Sequence, residues 1–333
     1  MLRPPYEIVL KPYGKALVEL ARERTDIICL SGDLTRQTET DLFRDALPDR
    51  FINVGMAEAN MIGIAGGLAR AGHTVFVNTF GVFCTRRCYD QVAMAIAYPN
   101  LDVKIVGFMP GLSSPGGPSH QAIDDVALMR ALPNMTVVDL ADAVEISQAV
   151  RAVVERRGPV YLRLKRGEIP VVSEASRRFS LHEAQVAKKG REACIVASGM
   201  MVPAALVAAD VLDANGVSTC VINSPVIKPL DAATIVAAAR GARAVVTAEN
   251  HSVIGGLGSA VAEALAEAGV GVPLRRIGVA DVFAESGSRE YLFDRYNLGV
   301  QNIVDAAWIT IAPTKPVPAA PAMPLTAGTY APV

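Results

Sequence analysis

The sequence has little of what builds a metal centre or a disulfide framework. Of its 333 residues, only five are cysteine and four are histidine. The cysteines (Cys29, Cys84, Cys88, Cys194 and Cys220) include no CxxC pair, and the Cys84/Cys88 pair on a predicted helix lacks a second ligand pair. We therefore expect no metal site in this chain and interpret the cysteines as buried thiols of a reducing compartment.

Charge and long apolar runs are also scarce. Charged residues make up 20% of the chain, with 32 Lys plus Arg against 33 Asp plus Glu and no long basic run, so we expect no nucleic-acid partner. No segment approaches the roughly 18 consecutive apolar residues of a membrane span. The N-terminus lacks the charged start and apolar core of a signal peptide. We expect a cytoplasmic protein that does not contact membranes.

Aromatic residues account for only 5% of the chain, whereas hydrophobic residues reach 51%, a balance typical of a helix-rich α/β protein. Short β-branched segments predict strands: Ile27–Leu30, Thr74–Val77, Val103–Phe108, Thr136–Val138, Val160–Leu164, Ala193–Ala197, Val217–Ile222, Ala244–Thr247 and Leu274–Ile277. Ala/Leu-rich segments between them, such as Ala57–Arg70 and Ala143–Glu155, predict helices. This alternation predicts mostly parallel sheets with helices on both faces.

A polar stretch from Ser173 to Arg191 interrupts the alternation, which then starts again. The length of the chain suits two domains better than one. We predict a first domain over residues 1–185, a second over 186–312, and a Pro/Ala-rich tail over 313–333 that is extended and takes no part in a core.

The segment from Phe51 to Gln91 is the most informative. Gly55 follows a short predicted strand, and Glu58 lies in the first turn of the next helix. A carboxylate there interacts favourably with the helix dipole, so the pattern alone predicts a solvent-exposed Glu58. Phe80 and Phe83 have the spacing of an ordinary core pair.

Several motifs in order give a more specific signal. They are GMAEANM (55–61), TFGVFCTRRCYDQ (79–91), GGPSHQAIDDVALMRALPNM (116–135), VYLRLKRGEIP (160–170) and AENHSVIGGLGSAVAEAL (248–265). Together they resemble the transketolase family over nearly the whole chain, up to about Ala312. The resemblance implies an α/β fold with two parts. One is a thiamine-diphosphate-binding domain of the pyrimidine type, with a parallel sheet and helices on both faces, and the other is a transketolase C-terminal α/β domain.

The resemblance also implies a set of cofactor-binding residues. The acidic residue matching Glu58 hydrogen-bonds N1′ of the aminopyrimidine ring of thiamine diphosphate and favours the imino tautomer that removes the thiazolium proton. Phe80 and Phe83 match aromatics that pack against this ring, and Arg86, in the same motif, is a further candidate. Asp33 matches an aspartate near the cofactor and the subunit interface, although a turn cap is the alternative for it.

For the substrate, the resemblance points to His120 and Arg166. The matching histidine contacts substrate hydroxyls, which makes His120 the second catalytic candidate beside Glu58. The matching arginine binds the phosphate of sugar phosphates, an anion that suits a guanidinium. The ordinary alternatives are a surface-loop histidine and a solvated arginine, and Lys11 and Arg36 are then the next candidates for an anion site.

Three positions depart from the family pattern at the sugar and phosphate. Leu10 stands where an arginine is usual, with Lys11 beside it, Phe108 where some members have histidine, and Gly116 where many have aspartate. Branched, deoxy or sulfonated ketoses therefore become candidate donors besides ordinary ketose phosphates.

One family motif is missing. The family binds the diphosphate and Mg²⁺ through a GDG-to-Asn motif in an N-terminal domain, whereas here Gly32-Asp33 is followed by Leu34. The glycines at 255–258 do not have dinucleotide-binding spacing. The resemblance thus implies a separate N-terminal transketolase subunit that carries the GDG…N site and holds Mg²⁺, with self-association to an α2β2 assembly.

The expected activity is transfer of a two-carbon ketol unit from a ketose to an aldose phosphate. Two alternatives stay open at this point: the β subunit of a 2-oxo acid dehydrogenase E1 component, and a non-catalytic scaffold subunit.

Overall fold

The chain folds into strands and helices that alternate as the sequence predicts. The protein's computed structural model describes residues 7–165 and 169–323. The strands are β1 Ile27–Ser31, β2 Phe51–Asn53, β3 Thr74–Phe80, β4 Val103–Phe108, β5 Thr136–Asp139, β6 Val160–Leu164, β7 Gln185–Lys188, β8 Ala193–Ala197, β9 Thr219–Asn223, β10 Val226–Lys228, β11 Ala244–Ser252 and β12 Leu274–Val279.

The α-helices are α1 Pro12–Glu23, α2 Asp41–Ala46, α3 Glu58–Arg70, α4 Gly81–Thr85, α5 Tyr89–Gln91, α6 Asp125–Ala131, α7 Ala143–Glu155, α8 Met201–Ala214, α9 Ala232–Arg240, α10 Leu257–Glu267, α11 Arg289–Arg295 and α12 Val300–Ile311. The Ala-rich pattern over Arg87–Ala97 predicts one helix, whereas the structure has a 3₁₀ turn at Arg86–Cys88, the short α5 and a π-helix at Val92–Ala97. Within the described ranges, no helix is both long and apolar enough to cross a bilayer.

The strands form two sheets. The first has seven strands in the order β10-β5-β6-β4-β3-β1-β2, and the second has five in the order β12-β11-β8-β9-β7. All neighbours are parallel except the edge strands β10 and β7, which are antiparallel to β5 and β9. The α/β class with two mostly parallel sheets is therefore confirmed.

Strand β10 belongs to the first sheet although it follows β9 of the second in the chain. Val226 pairs with Val138 at the edge of the first sheet. A division of the chain at residue 185 thus does not separate the two sheets completely. Neither β7 nor β10 is predicted from sequence, since β7 lies in the polar stretch and β10 has only three residues.

Helices cover both faces of each sheet, which explains why the central strands are continuous hydrophobic runs. Helices α1 and α7 pack on one face of the first sheet, and α8 and α12 on one face of the second. A third cluster joins the opposite faces of both sheets, from Met61 of α3 to Val261 of α10.

A buried ionic network joins the two sheets beside this shared core. The Arg163 guanidinium, 1% exposed, donates from Nε to Asp125 Oδ2 at 2.8 Å and from Nη2 to the Asn250 carbonyl of β11 at 2.7 Å. The Tyr161 hydroxyl donates to the same Asp125 oxygen at 2.7 Å. Burial alone would raise the pKa of Asp125, but the charges of Arg163 and His251 and the hydrogen bonds from Arg163 and Tyr161 together outweigh it and lower this pKa.

The described part of the predicted tail, residues 313–323, is without helix or strand, as expected, but it is not detached. Gln301 of α12 accepts from the Ala320 N–H at 2.8 Å and donates to the Pro318 carbonyl at 3.0 Å. Ala320 and Met323 pack against the core of the second sheet. The described part of the tail therefore contacts the core of the second sheet, which differs from the prediction.

Candidate active site

The candidate residues come together at the carboxyl ends of three adjacent strands, β2, β1 and β3. Asp33 follows β1, Glu58 follows β2, and Phe80 ends β3. Ligands of open α/β sheets bind at this edge, because the loops that follow parallel strands converge there.

Glu58 is buried, contrary to the prediction from the helix pattern. It is the first residue of α3, and its side chain is 1% exposed. Oε2 accepts a hydrogen bond from Arg87 Nη1 at 2.9 Å, while Oε1 has no hydrogen-bond partner among the described residues. A carboxyl group held in this way presents one oxygen to a ligand.

Arg87 is a site residue that the sequence analysis missed. Its guanidinium carbon lies 4.1 Å from the centre of the Phe83 ring, so one side chain contacts both Glu58 and the aromatic pair. The sequence feature that could have indicated this role is the position of Arg87, four residues after Phe83. Arg87 lies in the 3₁₀ turn Arg86–Cys88.

Phe80, Phe83 and His120 form an aromatic cluster beside this carboxylate. The two phenyl rings are stacked with centroids 5.9 Å apart, and the imidazole lies edge-on to Phe83 at 5.2 Å. Phe80 packs partly against the core, whereas Phe83 belongs to none of the core clusters, and neither ring is fully buried. The cluster therefore leaves aromatic surface accessible to a flat ligand.

The position of His120 depends on Gly116. A Cβ atom added at Gly116 would lie 2.9 Å from His120 Cβ and 3.0 Å from Cγ, which is too close. The imidazole Nδ1 is hydrogen-bonded to Ser119 Oγ at 2.9 Å. With the aspartate that is usual in the family at 116, His120 would have to move, so this departure is coupled to the site.

Arg86 is committed to the loop that carries His120. Its Nε lies 2.8 Å from both carboxylate oxygens of Asp124, and Nη1 and Nη2 donate to the Pro118 and Gln121 carbonyls at 3.2 and 3.1 Å. Arg86 thus holds this loop in place through its hydrogen bonds. Its expected contact with the cofactor stays a prediction.

The same loop rests on residues that follow β12. Gln121 Nε2 donates to the Glu285 carbonyl at 3.1 Å, and the Gly287 N–H donates to the Pro115 carbonyl at 3.3 Å. Gly117, at φ +73°, has Ser286 Oγ 2.6 Å from the place of a Cβ atom. The second α/β unit therefore helps to position His120.

Asp33 lies in a left-handed turn with φ 63° and is exposed. Asn53 Nδ2 donates to Asp33 Oδ1 at 2.9 Å, and Asn53 Oδ1 accepts from the Asp33 and Gly55 N–H groups at 3.2 and 3.1 Å. This fits the turn-cap alternative and fixes the strand ends before α3.

The remaining candidates lie apart from this cluster or outside the described residues. Phe108 is fully buried against Tyr13 with ring centroids 5.6 Å apart, so this departure is part of the core. Leu10 is 61% exposed, and Lys11 Nζ pairs with Asp41 Oδ2 at 2.5 Å. Arg36 is exposed, and Arg166 lies outside the described residues. Over the described ranges, no group of three or more His, Cys, Asp or Glu side chains could hold a metal ion.

Comparison with known families matches both parts of the chain. Residues 9–172 match the transketolase pyrimidine-binding domain, and residues 182–303 match the transketolase C-terminal domain. An uncharacterised transketolase family protein of Sinorhizobium fredii is 47% identical over 88% of this chain and 86% of its own length. The 6-deoxy-6-sulfo-D-fructose transketolase subunit SqwH of a Clostridium species is 40% identical over 92% and 97%.

A solved structure agrees with these matches. It is a split-gene transketolase described as an inactive β4 tetramer, 43% identical, with a TM-score of 0.85 over 92% of this chain and 98% of that one. These similarities favour the predicted transketolase family over the dehydrogenase alternative. The chain therefore belongs to the transketolase family, as a C-terminal subunit of the split type with the pyrimidine-binding and C-terminal domains.

Proposed function

We propose that this chain contributes the aminopyrimidine side of a thiamine-diphosphate site and, with a partner chain, transfers a two-carbon ketol unit from a ketose to an aldose phosphate. The observation that carries the proposal is the buried Glu58 carboxyl, with one oxygen held by Arg87 and the other without a partner among the described residues.

The side chains present fit the aminopyrimidine ring. When bound, thiamine diphosphate supplies the carbon nucleophile that takes up and releases the two-carbon unit. Glu58 Oε1 holds a proton at N1′, and Arg87 keeps the carboxyl in place. Phe80 and Phe83 pack against the ring and exclude water. His120, with Nδ1 bonded to Ser119, directs Nε2 to substrate hydroxyls.

A partner chain completes the site. The chain lacks a GDG motif, and the residues beside Glu58 include the exposed apolar side chains Met56, 80% exposed, and Ile52, 40% exposed. Apolar side chains in that position suit a subunit interface. An N-terminal transketolase subunit with the GDG…N motif holds Mg²⁺ and the diphosphate, and two copies of each chain form an α2β2 enzyme in the cytoplasm.

We expect Glu58→Gln to lower turnover of the reconstituted enzyme by about two orders of magnitude, as for other proton-transfer groups. The glutamine amide cannot replace the Glu58 carboxyl group in holding a proton at N1′. The assay is ketol transfer by the complex with thiamine diphosphate and Mg²⁺, with circular dichroism as the folding check. Glu263→Gln, an exposed carboxylate on α10, is the matched control. Near-normal turnover of Glu58→Gln in the intact complex would contradict the role of Glu58.

The donor is proposed to be a ketose with an anion at its far end, phosphate or sulfonate, bound by Arg166. The coupling of Gly116 to His120 and the 40% identical subunit named for 6-deoxy-6-sulfo-D-fructose support a modified ketose. In a donor panel we expect a modified ketose to exceed xylulose 5-phosphate in kcat/KM. Arg166→Ala should raise the donor KM. If xylulose 5-phosphate is the best donor by a wide margin, the departures at Leu10, Phe108 and Gly116 do not change the choice of donor.

A further inference from the structure

Two cysteines outside the candidate site face each other on neighbouring strands of the second sheet. Cys194 of β8 and Cys220 of β9 are direct partners in a parallel register. Neighbouring strands lie about 4.8 Å apart, and a disulfide spans Cα atoms about 4.4–6.8 Å apart. Register partners point to the same face of a sheet.

The surroundings make these two thiols unequal. Cys194 is 1% exposed, while Cys220 is 6% exposed and lines a surface groove together with Lys189, Gly190 and Arg191. A Cβ at Gly190 would lie 2.3 Å from Cys220 N, so only glycine lets the 189–191 segment lie this close to β9.

Hydrogen bonding favours a thiolate on the outer cysteine, Cys220. The hydrogen bond from the Cys194 thiol lowers the pKa of Cys220, and the Gly190 N–H adds to this against the effect of burial. The pKa of Cys194 is raised by the same hydrogen bond and by burial. Lys189 and Arg191 bring two exposed cations to the groove. Partly accessible thiols in such surroundings are the reactive ones.

We infer that Cys194 and Cys220 form a reversible dithiol site that hydroperoxides oxidise to a disulfide. The Cys220 thiolate attacks a peroxide oxygen, an S–O bond forms as the O–O bond breaks, and hydroxide leaves as water with a proton. The Cys194 sulfur then attacks the Cys220 sulfur, an S–S bond forms as the S–O bond breaks, and a second water leaves. Two thiols lose two electrons, and one hydrogen peroxide is reduced to two waters.

The other three cysteines provide internal controls. Cys29 and Cys84 are fully buried, and burial raises the pKa of each thiol. Burial and the nearby Glu58 charge raise the pKa of Cys88 to about 12. Cys84 and Cys88 both donate to carbonyls, of Gly81 and Phe83. Buried thiols with raised pKa values react slowly.

The test is peroxide oxidation of the full-length chain, followed by alkylation, digestion with a protease that cleaves at aspartate (Asp210 and Asp213 lie between the two cysteines), and mass spectrometry. We expect one disulfide-linked peptide pair, containing Cys194 and Cys220, that dithiothreitol returns to free thiols. Cys220 should lose alkylation at least about tenfold faster than Cys29, Cys84 or Cys88, since each unit of thiol pKa changes the thiolate fraction about tenfold.

Single variants separate the roles of the two sulfurs. In Cys194→Ser, Cys220 should be trapped by dimedone as sulfenic acid and then go on to sulfinic acid, because no resolving thiol remains. In Cys220→Ser, Cys194 should stay reduced. Cys29→Ser is the matched control, with the Cys194–Cys220 disulfide formed as in wild type.

Two results would overturn the inference. One is equal oxidation rates for all five thiols, and the other is accumulation of Cys220 sulfenic acid without a disulfide in the wild-type chain. Circular dichroism confirms that each variant is folded before oxidation. If a variant fails to fold, oxidation of the native wild-type chain still shows whether the Cys194–Cys220 disulfide forms.

Discussion

Glu58 and Arg87 form an ion pair with unequal surroundings. The Glu58 side chain is 1% exposed and that of Arg87 is 49% exposed. Water can solvate Arg87 if its partner is removed, but it cannot solvate Glu58, so loss of the arginine leaves an unpaired buried carboxylate. The ion pair therefore holds the Glu58 carboxylate in place and balances its charge. Arg87 also covers one face of the Phe83 ring.

Glu145 is a second buried carboxyl, away from the candidate site. Its oxygens accept from the Ala141 N–H at 2.8 Å and from Asn223 Nδ2 at 2.6 Å. Burial raises the pKa of Glu145 to about 7, against the Ala141 hydrogen bond and with the help of the Asp142 charge. The folded chain thus binds this proton more tightly than the unfolded chain, whose pKa is near the ordinary 4.5.

The stabilisation due to this proton is complete below pH about 4.5 and is lost as pH rises through about 7. We expect Glu145→Gln to remove this loss, which amounts to at most about 3 kcal/mol. The buried Asn223 Oδ1 has no hydrogen-bond partner among the described residues, so a flipped Asn223 amide can accept from the new side chain. Urea unfolding of both proteins from pH 5 to 8 measures the difference in free energy of unfolding. A difference that does not change with pH would contradict the raised pKa.

At the scale of elements, His120 lies in a turn of the loop between β4 and α6 and is itself outside any helix or strand. Arg86 ties this loop to the turn after α4 through Asp124, Pro118 and Gln121. Contacts from residues 285–287 support its other side. The position of the His120 loop thus depends on hydrogen bonds from both α/β units.

We expect Arg86→Ala to raise the donor KM of the reconstituted enzyme about tenfold, equivalent to about 1.4 kcal/mol. The reason is the loss of charged hydrogen bonds that order the His120 loop. Arg86→Lys should be intermediate, and Arg70→Ala, an exposed arginine at the end of α3, is the control. If Arg86→Ala lowers kcat and leaves the donor KM unchanged, Arg86 acts on the cofactor, as the motif first implied.

At the scale of the whole molecule, the described residues supply only one side of the candidate site. Glu58, Phe83 and His120 supply an acid, an aromatic surface and a polar ring, whereas the described residues provide no group that could hold a metal ion. Beside the site, Met56 is an apolar side chain that is 80% exposed. The similar split-gene transketolase is an inactive assembly of β chains.

We expect the isolated chain to form a homo-oligomer without ketol transfer activity, even with thiamine diphosphate and Mg²⁺. Activity should appear on addition of the N-terminal subunit. Met56→Glu should weaken that association at least about tenfold, because a charge would be buried at the interface. Ile309→Glu, on exposed α12 surface, is the matched control. Light scattering and the transfer assay measure both effects, and activity of the isolated chain would contradict the proposal.

The sequence by itself determined the order of the elements and the central strands. The bounds of β4, β6, β8 and α7 are those predicted. These elements are buried on one or both faces over their whole length, so local hydrophobic pattern and burial coincide. The ordered motifs identified the family, and comparison confirmed it.

Only the tertiary structure decided the site's geometry. Edge strands β7 and β10 escaped prediction, because their pairing depends on partners distant in the chain. The burial of Glu58, the choice of Arg87 over Arg86 as its partner, and the fit of His120 over Gly116 were equally out of reach. Each depends on contacts between segments that meet only after folding, and local propensity carries no information on such contacts.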